Sequence, residues 1–379
     1  MKQRLHWTIS AALVVVLAAY VKLAQVPIHF DWPLLLLGYW VDIASSALFA
    51  ATVLYVVQWP GDLKRCWQRY CAEPVRFVII AAVSCWLIWW IDITAGLKAT
   101  VIAIAVAEIF DVRKFQLRRV GQVLGDFMPP SMYFFFGIVL VFAYNNVILS
   151  VSSITHDRTL LNADRFILAG YSVSELSRSA SATLPSFVFT ILDRVYLGLF
   201  SEIGAALVLV ALMRGYKEGC RYVGTMLMGY YIALLIFYLY PTFDPFYLCP
   251  DHSHLPATAA SSSIQPVLMT RTATIQHAFA LNVEGDYSIA FPSMHMALAV
   301  MAWWFCREWK RIARVLFVFN LALVAAIVLL EWHYFVDLPG GIAVAVVAIS
   351  IMKARSAHSV SAPVPVPAEA CTQIPVSRS

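Results

Sequence analysis

The stretch FPSMHMALAVMAWWFC, Phe291–Cys306, opens on Pro-Ser-Met-His and continues as an unbroken apolar run. That is the pattern of a membrane helix with a polar mouth. LLEWHYFVDLPGG, Leu329–Gly341, mirrors it: an apolar run ends, His333 follows, and Asp337 stands four residues later. Between His295 and His333 lie 38 residues, enough for two short spans and a turn at about 1.5 Å of rise per helical residue. The chain therefore crosses, turns at REWKRIAR and returns, which places both histidines and Asp337 at one membrane interface.

Composition sets the class. Of 379 residues 61% are hydrophobic and only 13% charged, against about 25% charged in a soluble globular protein. Too little polar surface remains to coat a water-soluble fold, so the expected fold class is an all-α polytopic membrane protein. Runs near or above about 18 apolar residues mark spans. Ten are read: Trp7–Leu23, Pro33–Val57, Phe77–Ile91, Leu97–Phe110, Met132–Leu149, Val195–Met213, Val223–Tyr240, Pro292–Phe305, Val315–Trp332 and Leu338–Met352. The third and fourth are short and also read as one bent helix. The first also reads as a cleavable signal, which leaves the rest of the map unchanged.

Basic residues test that count. With the N-terminus inside, twenty of the 27 Lys and Arg fall on inner segments. The longer outer segments hold Lys98, Arg158, Arg165, Arg178, Arg194 and Arg271. Every inner loop obeys the positive-inside rule, so both termini are expected in the cytoplasm and the histidines on the periplasmic, extracellular or luminal side. The net charge of +5 is small and gives no reason to expect a nucleic-acid partner. Seven cysteines show no CxxC pair and no zinc spacing. The organisation expected is an N-terminal unit of about four helices (1–130), a core (131–353) and a disordered Ala/Pro/Val/Ser-rich tail (354–379). The outer segment DRFILAGYSVSELSRSA is amphipathic enough to lie on the membrane as a helix.

The residue types suit phosphate. A helix N-terminus offers free backbone N–H groups and the positive end of the dipole. Pro292 suits a first helical turn, and the Ser293 hydroxyl can donate to a phosphate oxygen. If Asp337 accepts a proton from one nitrogen of His333, the other is left to attack phosphorus. His295, when protonated, can hand its proton to the leaving oxygen. A lone PSMH is a weak signal, but the ordered pair at one membrane border is a functional candidate. Asp244 and Glu331 flank the site and are placed to tune its histidines. In PDHSHLP, Asp251, His252 and His254 read first as a solvated loop and second as a metal site, so no metal is assigned.

The pair PSMH and HYFVD resembles the second and third signature motifs of the type 2 phosphatidic acid phosphatase superfamily. Within it, HYFVDL is most similar to the branch of inositol phosphorylceramide synthases. The resemblance covers roughly Met132 to Met352. It implies a six-helix core, with the first of these motifs opening the fourth helix and the second between the fifth and sixth. It implies His333 as a nucleophile that forms a phosphohistidine, Asp337 as its orienting partner and His295 as general acid. No cofactor or metal is implied. The chain lacks the KxxxxxxRP first motif, and Ala326 and Ile327 stand where the third motif carries Ser-Arg. In place of the first motif YLYPTFDPFY resembles the synthase-like stretch, which makes Tyr240 and Pro241 substrate-binding candidates. Arg194, with Arg165 and Arg271 as alternatives, is the candidate cation for the phosphate.

The expected partners are membrane lipids, a phosphorylated lipid substrate and an alcohol or polyol acceptor. Water as acceptor makes a lipid phosphatase, and an alcohol makes a phosphotransferase, which the HYFVD string favours. A rival reading is a non-catalytic transporter that uses Asp42, Asp193, Arg194 and Glu202 along a path. Pro339 is expected to bend the entry of the last helix.

Overall fold

The structure is a computed structural model. It describes residues 9–16, 19, 28–29, 33–61, 117–151, 155–248, 254–256, 261–277, 281–282 and 290–360. The expected spans Phe77–Ile91 and Leu97–Phe110, part of the first span, Asp251, His252 and the end of the tail lie outside them.

Helices make almost all of the described chain. Strand β1 (Ile28–His29) is followed by α1 (Pro33–Gln58), α2 (Leu117–Val151), α3 (Asp157–Ile167), α4 (Val173–Thr183), α5 (Ser186–Arg214) and α6 (Tyr216–Leu239). Then come α7 (Pro245–Leu248), α8 (Ser261–His277), strand β2 (Leu281–Asn282), α9 (Met294–Cys306), α10 (Lys310–Leu329) and α11 (Asp337–Val360). The two strands pair in parallel over two residues each. This is a small exception to the all-α expectation.

Among the described residues four helices are long and apolar enough to cross a membrane: α5, α6, α10 and the Asp337–Ala354 part of α11. The six spans expected between Met132 and Met352 each fall on a helix, namely α2, α5, α6, α9, α10 and α11. Helix α9 has 13 residues and covers about 20 Å, less than the roughly 30 Å of a hydrocarbon core. Helix α5 is the central pillar and packs on α1, α6, α9 and α10, while α9 and α6 pack on α11.

Four local expectations are corrected. The surface segment Asp157–Thr183 is two helices, because Ala169 and Gly170 adopt left-handed backbone at φ 55° and 100°. Helix α4 then restarts on a capping box: Ser172 Oγ accepts from the Glu175 N–H at 3.2 Å, and Glu175 Oε2 accepts from the Ser172 N–H at 2.6 Å. Pro292 lies outside the first turn of α9, since Ser293 is the N-cap and its hydroxyl accepts from the Met296 N–H at 3.3 Å. Pro339 does not break the entry of α11; it sits in the first turn, where its missing N–H costs nothing. The last helix also continues to Val360, past the expected start of the tail, since no Pro or Gly stands between Gly341 and Pro363.

Chain direction then defines the site. Helices α5, α9 and α11 start, and α6 and α10 finish, at one end of the bundle. Their opposite end carries basic residues on indole faces: Arg214 lies 4.5 Å from the Trp309 ring centroid and Arg307 3.6 Å from that of Trp304.

Two glycines let α11 press against the α9 entry. A Cβ at Gly340 would come within 2.7 Å of the Phe291 ring, and one at Gly341 would fall on the Ser293 carbonyl oxygen. Gly341→Ala is expected to destabilise the protein by about 1–3 kcal/mol through overpacking. Gly61→Ala, where nothing lies within 4 Å, is expected to stay within about 0.5 kcal/mol of wild type. Thermal unfolding midpoints in detergent check both.

Candidate active site

The loop between α10 and α11 delivers His333, and the first turn of α9 delivers His295. The two rings meet: His295 Nδ1 lies 3.1 Å from His333 Nε2. On the other side of His333, Nδ1 lies 2.9 Å from the Ala290 carbonyl oxygen, 3.4 Å from Asp337 Oδ2 and 3.9 Å from Asp244 Oδ1. All three neighbours are acceptors, so Nδ1 carries the proton and donates to Ala290. Nε2 is then the bare nitrogen, and His295 Nδ1–H donates to it. The sequence pointed to Asp337 as the group that orients His333, whereas the nearest acceptor is a backbone carbonyl. A carbonyl has no side-chain signature, and no sequence signal would have found it.

Asp337 has a second task. Its Oδ2 accepts the Tyr334 N–H at 2.9 Å, and its own carbonyl accepts the Ser293 N–H at 3.2 Å. The two motifs are thereby tied together through the backbone as well as through their histidines. Ser293 is buried, and its hydroxyl caps α9 while keeping its own hydrogen to donate.

The site's aromatic wall comes from α5. Tyr196 stacks on the His295 ring with centroids 4.5 Å apart, and on Trp332 at 4.6 Å. In the sequence Tyr196 is one aromatic residue in an apolar span and carries no signal of this place. Tyr240 stacks on His156 at 4.1 Å and meets Phe291 edge-on at 6.2 Å. The Pro241 carbonyl accepts the His156 N–H at 2.9 Å. Thr242, not singled out in the sequence, accepts the Phe291 N–H on Oγ1 at 3.0 Å and the Ala290 N–H on its carbonyl at 3.4 Å. The Tyr240–Asp244 stretch thus holds the entry to α9. Arg194 is exposed on α5, two residues before Tyr196 and so on a different face of that helix. Arg165 is exposed and lies 3.8 Å from Glu175.

Behind the histidine a His254–Glu331 hydrogen bond supports the loop. Glu331 has left-handed backbone at φ 61°, and its Oε1 lies 2.8 Å from His254 Nε2. The Ser177 hydroxyl lies 3.2 Å from the same nitrogen and donates to the Leu329 carbonyl at 2.7 Å. Burial pushes the Glu331 carboxyl above its ordinary range, and His254 pulls it back. Gln265 donates to the Leu330 carbonyl at 2.6 Å, and the Trp332 indole N–H to Ser261 Oγ at 3.1 Å. His254, read in the sequence as a solvated or metal-binding residue, is instead a partly buried partner of Glu331.

With this geometry in place, comparison with known families gives a match. Residues 172–351 match the family model described as PAP2 superfamily. The matched stretch begins at the N-cap of α4, leaves out α3 and contains Ser293, His295, His333 and Asp337. It points to lipid phosphatase or phosphotransferase chemistry without separating the two. Comparison with curated proteins and with solved structures found no match.

Electrostatics suit a nucleophilic imidazole. His333 lies between spans, and burial pushes its pKa down to about 4 against an upward pull from the Ala290 carbonyl. The ring is therefore unprotonated at neutral pH, and only below about 4 is Nε2 blocked by a proton. The acid limb of kcat/KM is expected near pH 4 rather than near the ordinary histidine value of about 6.5, as a pH–rate profile of the wild-type protein checks. Glu331→Ala removes the side-chain partner of His254 and is expected to cost about 1–3 kcal/mol, visible as a lowered unfolding midpoint.

Proposed function

We propose that the protein moves a phosphoryl or phospho-head group from a phosphorylated lipid to an acceptor through a phosphohistidine on His333. The observation that carries the reading is the imidazole pair, with Nε2 of His333 bare and faced by a proton donor at 3.1 Å. In the first step Nε2 attacks phosphorus, an N–P bond forms and the P–O bond to the leaving group breaks. His295, entering the step as the imidazolium, gives its Nδ1 proton to the departing oxygen and is left neutral. In the second step an acceptor O–H attacks phosphorus, the N–P bond breaks, and the acceptor's proton returns to His295. Asp337 and Ala290 keep Nδ1 protonated throughout and stabilise the positive charge that develops on the ring. Ser293 and the free N–H groups of the first turn of α9 supply donors for the phosphate oxygens.

Several observations favour an alcohol or polyol over water as acceptor. His333 is 3% exposed, and Asp337, Asp244, Ser293 and Tyr334 are buried beside it. A dry site protects the phosphohistidine from hydrolysis. The HYFVD string and the YLYPTFDPFY stretch point the same way, toward the inositol phosphorylceramide synthase-like branch. Tyr240 and Pro241 are assigned to the substrate side of this site, and Arg194, exposed on a different face of α5 from Tyr196, is not. The site faces the periplasm, the cell exterior or an organelle lumen, since the basic residues gather at the other end of the bundle.

Purified protein incubated with radiolabelled phospholipids and lipid pyrophosphates, with and without diols or polyols, tests the reading. A new phosphorylated product that depends on the acceptor is expected, and free phosphate alone would make the protein a phosphatase. His333→Ala is expected to lower turnover by at least about 10⁴-fold, as loss of a covalent nucleophile does. Turnover that survives this substitution would overturn the mechanism.

A further inference from the structure

Helix α3 turns an unusual face to the site. Its buried residues are Asp157, Leu160 and Asp164, a single stripe at helical spacing with a carboxylate at each end. An amphipathic surface helix normally buries apolar residues and shows its charges to water. Here Phe166 is 90% exposed while Asp164 is 0% exposed.

Both carboxylates end on backbone N–H groups of the loops that build the site. Asp164 Oδ2 accepts the Phe335 N–H at 2.8 Å and Oδ1 the Val336 N–H at 2.9 Å. These are the two residues between the HisTyr pair of the second motif and Asp337. Asp157 Oδ1 accepts the Phe243 N–H at 2.6 Å, next to Asp244. Leu160, between them, packs with Ala290 and Tyr334. One helix thus touches the Tyr240–Asp244 stretch, Ala290 and the His333–Asp337 loop. These are the segments that supply every neighbour of His333 Nδ1.

A carboxylate suits this place for a physical reason. Phe335 and Val336 offer successive N–H donors just before α11 begins, where no helical carbonyl can receive them. Two oxygens on one rigid group satisfy both, and a negative charge at that end complements the helix dipole. Burial raises the Asp164 carboxyl and the two N–H bonds lower it again.

We propose that α3 is a positioning element of the catalytic site, in which Asp164 and Asp157 act as backbone anchors that hold His333 in its reactive place. The anchors act through the loops and touch neither substrate nor the reacting atoms. Helix α3 lies outside residues 172–351, so the element is an addition to the matched region. The proposal rests on phosphotransfer at His333 for its kinetic arm alone.

The test uses the full chain in detergent or nanodiscs with Asp164→Ala, Asp164→Asn and, as a control, Arg158→Ala on the exposed face of α3. Turnover of a radiolabelled phospholipid is read as kcat and KM, and amide hydrogen exchange is read across 242–244 and 330–338. Asp164→Ala is expected to lower kcat by about 10²-fold, the scale of a displacement near 1 Å, with KM changed by less than about threefold. Exchange is expected to speed up within those two loops and not in α5 or α10. Asp164→Asn keeps one acceptor oxygen and is expected to fall in between, about tenfold below wild type. It decides the matter where the alanine variant does not fold. Arg158→Ala is expected to match wild type in both readings.

Wild-type kcat in both Asp164 variants would overturn the proposal, as would unchanged exchange in the loops. A uniform rise in exchange through all helices would reduce Asp164 to a stability residue and overturn it as well. If the wild-type chain turns over no phospholipid, the phosphotransfer reading fails by itself. Loop-confined exchange would still support the anchor, and unchanged exchange would still refute it.

Discussion

One hydrogen bond organises this protein: His333 Nδ1 to the carbonyl oxygen of Ala290 at 2.9 Å. It fixes the tautomer of His333, and it joins the entry of α9 to the loop before α11. Much of the surrounding structure keeps its two ends in place. Thr242 holds Ala290 and Phe291 from one side, and Asp337 receives Ser293 from the other. The close approach at Gly340 and Gly341 permits the two elements to lie against each other at all. Buried in low dielectric, hydrogen bonds of this kind are stronger than in water and help to specify one arrangement.

The bundle divides labour along its length. At one end helices stop and start around polar groups that are buried and paired. At the other, Arg214, Arg307 and Lys353 lie over indole rings, where long cationic chains cover apolar surface and reach water. Between them α5 runs through, with Tyr196 stacked on His295 near its start and Arg214 closing its last turn. A pillar that touches the reacting ring and spans the bundle makes the geometry of the site a property of the helix packing.

Much of this was legible in residue order. His295, His333 and Asp337 could be placed together because hydropathy marks where apolar runs end and helical rise converts residues into distance. The same reasoning located α5, α6, α9, α10 and α11, although it began α5 and α6 well inside their true starts at Ser186 and Tyr216, ended α11 short of Val360, and did not mark α7 or α8. It failed wherever a partner is a backbone atom or lies far off in sequence. Ala290 offers only a carbonyl, and Tyr196 is one aromatic residue in an apolar span. Asp164 looked like the polar face of a surface helix, because period alone says which residues share a face and not which face is buried. The His254–Glu331 pair joins residues 77 apart, and neither residue signals the other. The break between α3 and α4 turned on Ala169, a good helix former that stands here in left-handed backbone within a local turn, where the Gly170 N–H reaches back to the Arg165 carbonyl.

The imidazole pair has a consequence for the protein at rest. At 3.1 Å there is no room for phosphorus between His295 and His333, so in the mechanism proposed above a substrate has to part the rings before the chemistry can begin. In that mechanism His333 Nε2 is occupied at rest by the very proton that is later needed on the leaving group. An arriving phosphate breaks that contact, which frees the attacking lone pair and the donor in one motion. Until then the reagent is sheathed, and stray electrophiles and water meet a nitrogen that is already taken.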